Sequence, residues 1–206
     1  MIDIICSDRH HPSYPELTRW AGSHGAGLLS DQEDAMGGKM LFLVSCLEKI
    51  SKETRSRYES VLVLHESDLP QGRGWSPLAW QILSGKNDIT VTLLEASEII
   101  DGGRIWAQET VSFRGDELND EINAKALEAK FRLMEMAIAG ECSIRDQVGE
   151  PSYYRRRTPE DSRVDPNKTI AEQFDLLRIC EPRFPAFLEF RGHIYNLTIK
   201  RIANVV

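Results

Sequence analysis

A histidine stands where an apolar segment gives way to a loop rich in Gly and Pro. His65 directly follows residues 61–64, which are all apolar, and the loop of residues 66–77 continues from it. If residues 61–64 form a strand of an α/β sheet, His65 lies at its carboxyl edge, where such folds bind ligands. The Gly and Pro residues fix a backbone path that a mere connection does not need. A lone His at a strand end is also a common structural residue, so the loop is what indicates a site here.

The loop belongs to a longer set of residues with family-like spacing. Its members are His65, Ser67, Leu69, Pro70, Arg73, Gly74, Pro77, Trp80 and Gly85. Asp101 and Gly103 form an Asp-x-Gly pair further along the chain, and residues 156–161 read Arg-Arg-Thr-Pro-Glu-Asp. Over about residues 40–200 the chain therefore resembles the formyltetrahydrofolate-dependent formyltransferases. Residues 156–161 are most similar to the sugar-nucleotide N-formyltransferases of that family.

The resemblance implies chemical roles for His65 and Asp101. In such an enzyme an amine attacks the formyl carbon of 10-formyltetrahydrofolate, and an oxyanion develops. His65 would donate to this oxyanion, while Asp101 would orient and charge the imidazole and could draw off the amine proton through water. Without the resemblance, Asp101 also fits a turn-forming residue before Gly102 and Gly103.

The same resemblance implies which residues contact the two substrates, and it implies no metal. The expected folate contacts are Ser45, Cys46, Leu47, Ser67, Leu69 and Pro70. The expected contacts to the amine substrate are Asp68, Arg73 and Trp75. Residues 45–47 would act through backbone groups, so their types fit an ordinary strand end equally well. The arginines at 155–157 either form a solvated face or brace the C-terminal segment against the loops of the site.

One position departs from the family pattern. The family usually has Asn two residues before the His, where this chain has Val63. A donor to an oxyanion is worth about 10²–10³ in rate. Either another group therefore substitutes, with Asp68 and Trp75 as the nearby candidates, or the protein is slow or inactive. We expect the side chain of Val63 to pack within the sheet.

The elements that must position these residues can be read from the hydrophobic pattern. Continuous apolar runs at residues 2–6, 41–45 and 61–64 predict strands covered on both faces, and residues 89–94 and 105–113 predict two more. Helices are predicted at residues 15–24, 51–58, 78–84 and 116–139. No G-x-G-x-x-G follows the first strand, so a dinucleotide cradle is not expected.

These elements predict an α/β fold. A Rossmann-like, mainly parallel sheet should occupy residues 1–150, and a small C-terminal α+β extension should occupy residues 151–206. In the extension, Thr169 and Glu172 form a capping box that predicts a helix to Cys180, with Ile170 facing inward. A hairpin is predicted around Arg191 and Gly192.

Composition narrows the class of function. The 206 residues carry 32 acidic and 25 basic side chains, and a net charge of -7 disfavours non-specific binding to nucleic acid or anionic membranes. No apolar run reaches the roughly 18 residues of a spanning helix. The N-terminus lacks the pattern of a secretory signal, and the four cysteines lack metal or redox spacing. We therefore expect reduced thiols in a cytoplasmic protein.

The leading interpretation is an N-formyltransferase that acts on the amine of a nucleotide-linked amino sugar. In the family at large, such sugars enter bacterial surface glycans such as lipopolysaccharide. The alternatives are formylation of methionyl-tRNA or of a purine precursor, hydrolysis of formyltetrahydrofolate, and a degenerate protein that only binds folate or a nucleotide sugar. A homodimer is compatible with each of them.

Overall fold

The computed structural model describes residues 1–203 of the chain. In chain order its elements are β1 (Ile2–Ile5), α1 (Tyr14–His24), β2 (Gly27–Leu29), β3 (Gly38–Leu43), α2 (Lys52–Ser56), β4 (Tyr58–His65), β5 (Arg73–Gly74), α3 (Pro77–Leu83), β6 (Asp88–Glu95), β7 (Ile105–Ser112), α4 (Asn119–Ala139), β8 (Tyr153–Tyr154), α5 (Phe174–Ile179), β9 (Ala186–Phe190) and β10 (His193–Leu197). Single turns of 3-10 helix lie at Gln32–Asp34, Pro159–Ser162 and Ala171–Gln173.

Six strands form the central sheet in the order β2-β1-β3-β4-β6-β7. Strands β2, β1, β3 and β4 pair in parallel, and β6 runs antiparallel to both β4 and β7. The predicted α/β class with a mainly parallel sheet is therefore confirmed. Strand β2 was not predicted, because its three half-buried residues are too short a run to give a pattern.

The two faces of the sheet carry cores of different size. Helices α1, α3 and α4 bury their apolar residues against one face, where Phe42 and Leu62 are fully buried. The opposite face has a smaller cluster around Leu41, Leu43 and Val61. Because side chains alternate along a strand, Val63 and His65 of β4 point to this second face, which loops cover instead of long helices.

The longest helix begins three residues later than the predicted start at 116. Glu121 accepts from the backbone N–H of Leu118 at 2.9 Å and caps the first turn. At the other end Gly140 takes a left-handed φ of 75° and ends the helix, as predicted.

The C-terminal segment contains the predicted hairpin but only part of the predicted helix. Strands β9 and β10 pair antiparallel around Arg191 and Gly192. Thr169 and Glu172 do form the expected reciprocal bonds, but they cap a 3-10 turn, and α5 begins only at Phe174. The inward placement of Ile170 was wrong, since it is 72% exposed on that turn.

The segment is tied to the loop after β4. Strand β8 pairs in parallel with β5, which sets Arg73 beside Tyr153 and Gly74 beside Tyr154. A boundary at residue 150 stays a prediction, since this pairing crosses it. Within the described range, no helix is long and apolar enough to cross a membrane.

Candidate active site

A cleft with a volume of about 690 Å³ opens at the carboxyl ends of β1, β3 and β4. Its walls come from segments within residues 45–50, 63–66, 74–79, 95–101 and 156–162, together with residues from the β1–α1 loop and helix α4. The cleft therefore lies at the edge of the sheet where the sequence predicts a ligand site.

His65 and Asp101 lie side by side in the wall of this cleft. Nδ1 of His65 is 3.6 Å from Oδ2 of Asp101, and the side chains are only 7% and 10% exposed. Nε2 of His65 donates to the carbonyl oxygen of Gly72 at 2.8 Å. That bond requires a proton on Nε2. The other ring nitrogen, Nδ1, faces the carboxylate of Asp101. The pair is arranged to move a proton or to donate to a developing negative charge.

The backbone around Asp101 fixes its carboxylate. The N–H of Gly74 donates to Oδ2 at 2.8 Å. Asp101 has a left-handed φ of 50°, a conformation in which Asp is enriched over most residues. A Cβ at Gly103 would lie 1.9 Å from the carbonyl oxygen of Glu95, so only Gly fits there. The Asp-x-Gly pair therefore has a steric reason in the turn between β6 and β7.

Among the described residues, Arg73 is not part of the cleft lining, and its expected contact with the amine substrate stays a prediction. Its side chain is buried, and Nη2 donates to Oε1 of Gln147 at 2.7 Å. Gln147 in turn donates to the carbonyl oxygen of Asp101 at 2.8 Å. Arg73 therefore holds the turn that carries Asp101 and acts as a positioning residue.

Four other residues of the loop after β4 are not part of the cleft lining among the described residues. Over residues 1–203, the lining of the cleft does not include Ser67, Leu69, Pro70 or Asp68. Ser67, Leu69 and Pro70 are buried, while Asp68 is exposed and accepts from Nε2 of Gln108 at 3.2 Å. Their place in the fold supports the path of the loop, and the expected direct contacts with folate or amine stay predictions.

The remaining expected contacts do line the cleft. Ser45, Cys46 and Leu47 follow the end of β3, and Trp75 follows β5. Burial raises the pKa of the Cys46 thiol, which keeps it protonated at neutral pH. Leu47 is 60% exposed and Trp75 is 41% exposed. Large apolar side chains open to solvent in a cleft are surfaces that a bound ring can cover.

Val63 lies in the cleft wall, two residues before His65 and on the same face of β4. It is half-buried, packs partly against Leu69, Leu94 and Ile105, and is otherwise open to the cavity. The expectation that its side chain packs within the sheet therefore describes only part of its surroundings, since the side chain also lines the cleft. An apolar side chain stands where the family pattern has an amide.

Sequence reasoning missed an ion pair in the cleft wall. Lys130 of α4 is 7% exposed and pairs with Glu66. Burial alone would raise the pKa of Glu66, but the charge of Lys130 outweighs it and holds that pKa below its ordinary value. The signal was available, because Lys130 follows Ala126 by four positions and so shares the buried face of the helix.

A second missed residue is His11, in the loop between β1 and α1. Its Nδ1 accepts from the backbone N–H of Ser13 at 3.2 Å, so a neutral ring carries its proton on Nε2. Burial lowers the pKa of His11, and the nearby charge of Lys130 lowers it further. His11 therefore lines the cleft as a neutral donor at pH 7.

The structure pairs none of the four cysteines and gathers no metal-binding cluster among residues 1–203. Cys6, Cys46, Cys142 and Cys180 are all free thiols. In the part of the chain that the structure describes, no group of three or more His, Cys, Asp and Glu side chains could hold a metal ion.

Comparison with known proteins places this geometry in a family. The Formyl transferase family model matches residues 27–138, which is more than half of the chain. Among solved structures, methionyl-tRNA formyltransferase from Clostridium thermocellum superposes with a TM-score of 0.85 at 18% identity, covering 98% of this chain and 94% of that one. HypX from Aquifex aeolicus in complex with tetrahydrofolic acid gives a TM-score of 0.73 at 22% identity, covering 96% of this chain and 37% of that one. A sugar N-formyltransferase from Shewanella sp gives 0.70 at 15% identity, covering 100% of this chain and 99% of that one.

At sequence identities of 15–22%, the structural similarity shows that the fold is shared. It does not show which molecule accepts the formyl group. The family match spans β2 to the end of α4, and so includes His65, Asp101 and the loop between them. The chain belongs to the formyl transferase family and is a formyl-transferring enzyme.

Proposed function

We propose that the protein transfers a formyl group from 10-formyltetrahydrofolate to the amine of a nucleotide-linked amino sugar. The observation that carries the proposal is the His65–Asp101 pair, 3.6 Å apart in the wall of a cleft of about 690 Å³. A folate and a second substrate must meet at one pair of side chains, and a cleft of this size lies within the range of small-molecule sites.

The wall around residues 45–50 and 95–101 suits the folate. It offers the backbone beyond β3 at Ser45, Cys46 and Leu47, and it offers apolar side chains, of which Ile99 is 59% and Ile100 is 43% exposed. A flat ring bound here would cover these side chains and could bond to the backbone groups. HypX, whose solved complex contains tetrahydrofolic acid, supports a folate as the formyl donor.

The roles of the two side chains can be derived from their geometry. The bound folate supplies the formyl group that the amine attacks. When the ring carries a proton on both nitrogens, Nδ1 of His65 can donate to the negative charge that develops on the formyl oxygen, while Nε2 donates to the carbonyl oxygen of Gly72 and fixes the ring. Asp101 stabilises a positive charge on the imidazole and can accept the proton that the amine loses, through a water molecule. Of the two candidates for the role of the family Asn, Trp75 lines the cleft and Asp68 does not.

Other residues of the cleft lining support a small, polar acceptor. Helix α4 contributes Asn119, Asn123 and Lys130, and the β1–α1 loop contributes His11. Neutral amide and imidazole donors beside ion-paired charges suit the hydroxyl groups of a sugar. A sugar N-formyltransferase shares the fold over nearly its whole length.

Formylation of methionyl-tRNA is the second candidate. The similarity to a methionyl-tRNA formyltransferase favours it, whereas the net charge of -7 does not. A cytoplasmic location and a homodimer stay predictions under either proposal, and so does a role in bacterial surface-glycan synthesis.

A turnover assay separates these acceptors. Purified protein is incubated with 10-formyltetrahydrofolate and, in parallel, with nucleotide-linked amino sugars, the free amino sugars, a purine precursor amine or methionyl-tRNA. Formylated product is detected by mass spectrometry. We expect product only with a nucleotide-linked amino sugar. Product with methionyl-tRNA alone would replace the proposal with its alternative, and release of formate without an acceptor would indicate hydrolysis.

A further inference from the structure

Three consecutive arginines at 155–157 have two different roles in the structure. Arg155 pairs with Asp161, and its guanidinium lies 4.6 Å from the ring centre of Trp80. The indole N–H of Trp80 donates to the carbonyl oxygen of Arg155 at 2.8 Å. Arg155 therefore anchors the segment on helix α3, which is the bracing role considered for the whole cluster.

Arg156 and Arg157 instead line the cleft. Arg157 reaches only neutral acceptors, the carbonyl oxygen of Asp161 and the hydroxyl of Ser162, each at 3.3 Å. Its Nε is buried without any hydrogen-bond partner among residues 1–203. A buried guanidinium N–H that stays unsatisfied is costly, and within the described residues no carboxylate compensates the charge of Arg157, whose side chain is half-buried in the cleft wall.

The charges of the other cationic side chains in the cleft are already balanced. Lys49 and Arg55 share Glu98, Lys130 pairs with Glu66, and Arg183 pairs with Asp8 and Glu181. Over the described residues, Arg156 and Arg157 are the cleft-lining cations for which no carboxylate lies within 4.0 Å. A protein of net charge -7 thus keeps two uncompensated guanidinium groups at one end of its cleft.

Two adjacent guanidinium groups suit a phosphate ester. Guanidinium presents a planar fork of N–H donors that matches phosphate oxygens in pairs. A diphosphate carries negative charge on each phosphate and offers enough oxygens for both forks. The same chemistry would also attract the glutamate carboxylates of a folate.

The position of the arginines favours the acceptor substrate as the source of the anion. Their segment follows β8 and is bonded to α3, and within the described residues the hydrogen bonds and ion pairs of Arg155, Arg156 and Arg157 do not reach residues 45–50 or 95–101. The wall proposed for folate consists of residues 45–50 and 95–101, joined to each other through Glu98. We infer that Arg156 and Arg157 bind the diphosphate of a nucleotide-linked acceptor, an inference that rests on the proposed function for the identity of that acceptor.

The test compares Arg156→Gln and Arg157→Gln with Arg163→Gln. Arg163 lies in the same segment but outside the cleft, paired with Glu160 and Glu189. Calorimetry measures the Kd of inorganic pyrophosphate, of UDP, dTDP, GDP and CDP, of the matching nucleosides, and of tetrahydrofolate. We expect either cleft variant to raise the Kd of the best-bound diphosphate roughly 10- to 100-fold. The Kd of tetrahydrofolate should stay at the wild-type value in these variants, and Arg163→Gln should bind both ligands like the wild type. Arg157→Lys keeps the charge without the fork and should recover only part of the affinity.

The other outcomes separate this inference from the proposed function. If an amino-sugar nucleotide is formylated and both Gln variants keep the wild-type KM, the inference is wrong and the function stands. If diphosphate binding depends on the arginines but no nucleotide sugar is formylated, the inference stands and the function is wrong. Weakened binding of tetrahydrofolate with unchanged diphosphate binding would assign the arginines to folate and refute the inference, as would a wild-type protein that binds no diphosphate.

Discussion

At the residue scale, the proposed reaction depends on two side chains that are far apart in the chain. His65 and Asp101 meet because β4 ends at the histidine and the turn between β6 and β7 returns the carboxylate to it. Each has a backbone partner, Gly72 for the ring and Gly74 for the carboxylate. Both glycines belong to one loop, so a single loop conformation sets the geometry of the pair.

The first prediction concerns this pair. His65→Ala and Asp101→Ala should each lower kcat by on the order of 10³, because donor and charge are both needed in the transition state. The double variant should lose little more than either single one, since the two groups act as a unit. Steady-state kinetics of the three variants, with melting curves to check the fold, measures this.

A matched substitution isolates the charge of Asp101. Asp101→Asn keeps an acceptor for the N–H of Gly74 and tolerates the left-handed φ of 50°, so it should fold like the wild type and still lose most activity. Wild-type turnover in any of these variants would exclude the proposed mechanism.

The second prediction concerns Val63. Val63→Asn would place an amide in the cleft wall, on the same face of β4 as His65 and beside the reacting groups. Because the side chain is only half-buried, the amide can be solvated and the cost in stability should be below ~1 kcal/mol. We expect kcat to rise about tenfold or more, given what an oxyanion donor contributes.

Val63→Ala serves as the control for Val63→Asn, since it opens the same space without a donor. Comparison of kcat for the two variants shows whether the amide donor, and not the added space alone, raises turnover. If Val63→Asn folds normally and is no faster than Val63→Ala, another group already supplies this donor, and Trp75 becomes the residue to test.

How well the site could be predicted depended on the range of the contacts. His65 and Asp101 were predicted because their motifs are local in sequence. The bond between Arg73 and Gln147 could not be predicted, because the two residues lie 74 positions apart and no local pattern reveals it. The different roles of Arg155 and Arg156 were likewise hidden, since they depend on Trp80, 75 residues earlier.

At the scale of elements, helix α4 contributes both to the hydrophobic core and to the part of the cleft that we propose for the acceptor. It carries Asn119, Asn123 and Lys130 into the wall. The loop that leads into α4 is held by Glu117, which accepts from the backbone N–H of Arg114 and of Gly115 at about 3.0 Å and pairs with Lys125 of the helix. The attachment of this loop to the helix therefore depends on one buried carboxylate.

The third prediction tests that carboxylate. Burial alone would raise the pKa of Glu117, but its bonds to Lys125 and to backbone N–H groups lower it from 4.5 to about 2. Because the folded pKa is the lower one, the stabilisation is present in full above pH 4.5 and is lost as the pH falls toward 2. Glu117→Gln should lower the free energy of unfolding at pH 7 by up to about 3 kcal/mol.

Urea unfolding of Glu117→Gln between pH 7 and pH 3 checks both the size and the sign. The variant should lose less stability over the acid part of this range than the wild type does. Glu128→Gln, an exposed carboxylate of the same helix, should match the wild type throughout. A wild-type pH dependence in Glu117→Gln would show that this carboxylate does not stabilise the attachment of the loop to the helix.

The elements themselves were predictable where burial is strong. The five apolar runs became strands of the central sheet, and the apolar stripe of α4 lies in the core. Helix α5 was predicted too long, because the capping box at Thr169 shows where a helical turn starts but not how far the helix continues. Gln173 has a φ of -116°, which separates the 3-10 turn from α5, and its side chain donates back to the carbonyl oxygens of Asp165 and Lys168.

At the scale of the whole molecule, the charge distribution bears on the choice of acceptor. The fold is shared with a methionyl-tRNA formyltransferase and with a sugar N-formyltransferase, so the architecture does not decide between them. Binding of a polyanion requires many Lys and Arg contacts on one surface. Here the net charge is -7, and most cations of the cleft are neutralised by carboxylates.

The last prediction rests on this charge balance. Gel-shift titration with initiator tRNA should show no specific complex at about 150 mM salt, because the few uncompensated cations can replace few counterions of the nucleic acid. Any binding at low salt should involve only one or two phosphate contacts. A plot of the logarithm of the binding constant against the logarithm of the salt concentration should therefore have a slope of about -1 to -2. The best nucleoside diphosphate of the calorimetric series should instead raise the melting temperature at the same salt. The opposite result would be tight binding of initiator tRNA with a steep dependence on salt, and no shift of the melting temperature with any nucleoside diphosphate. That result would identify the protein as a tRNA-acting member of the family, because tight and salt-sensitive binding of a polyanion requires a broad basic surface.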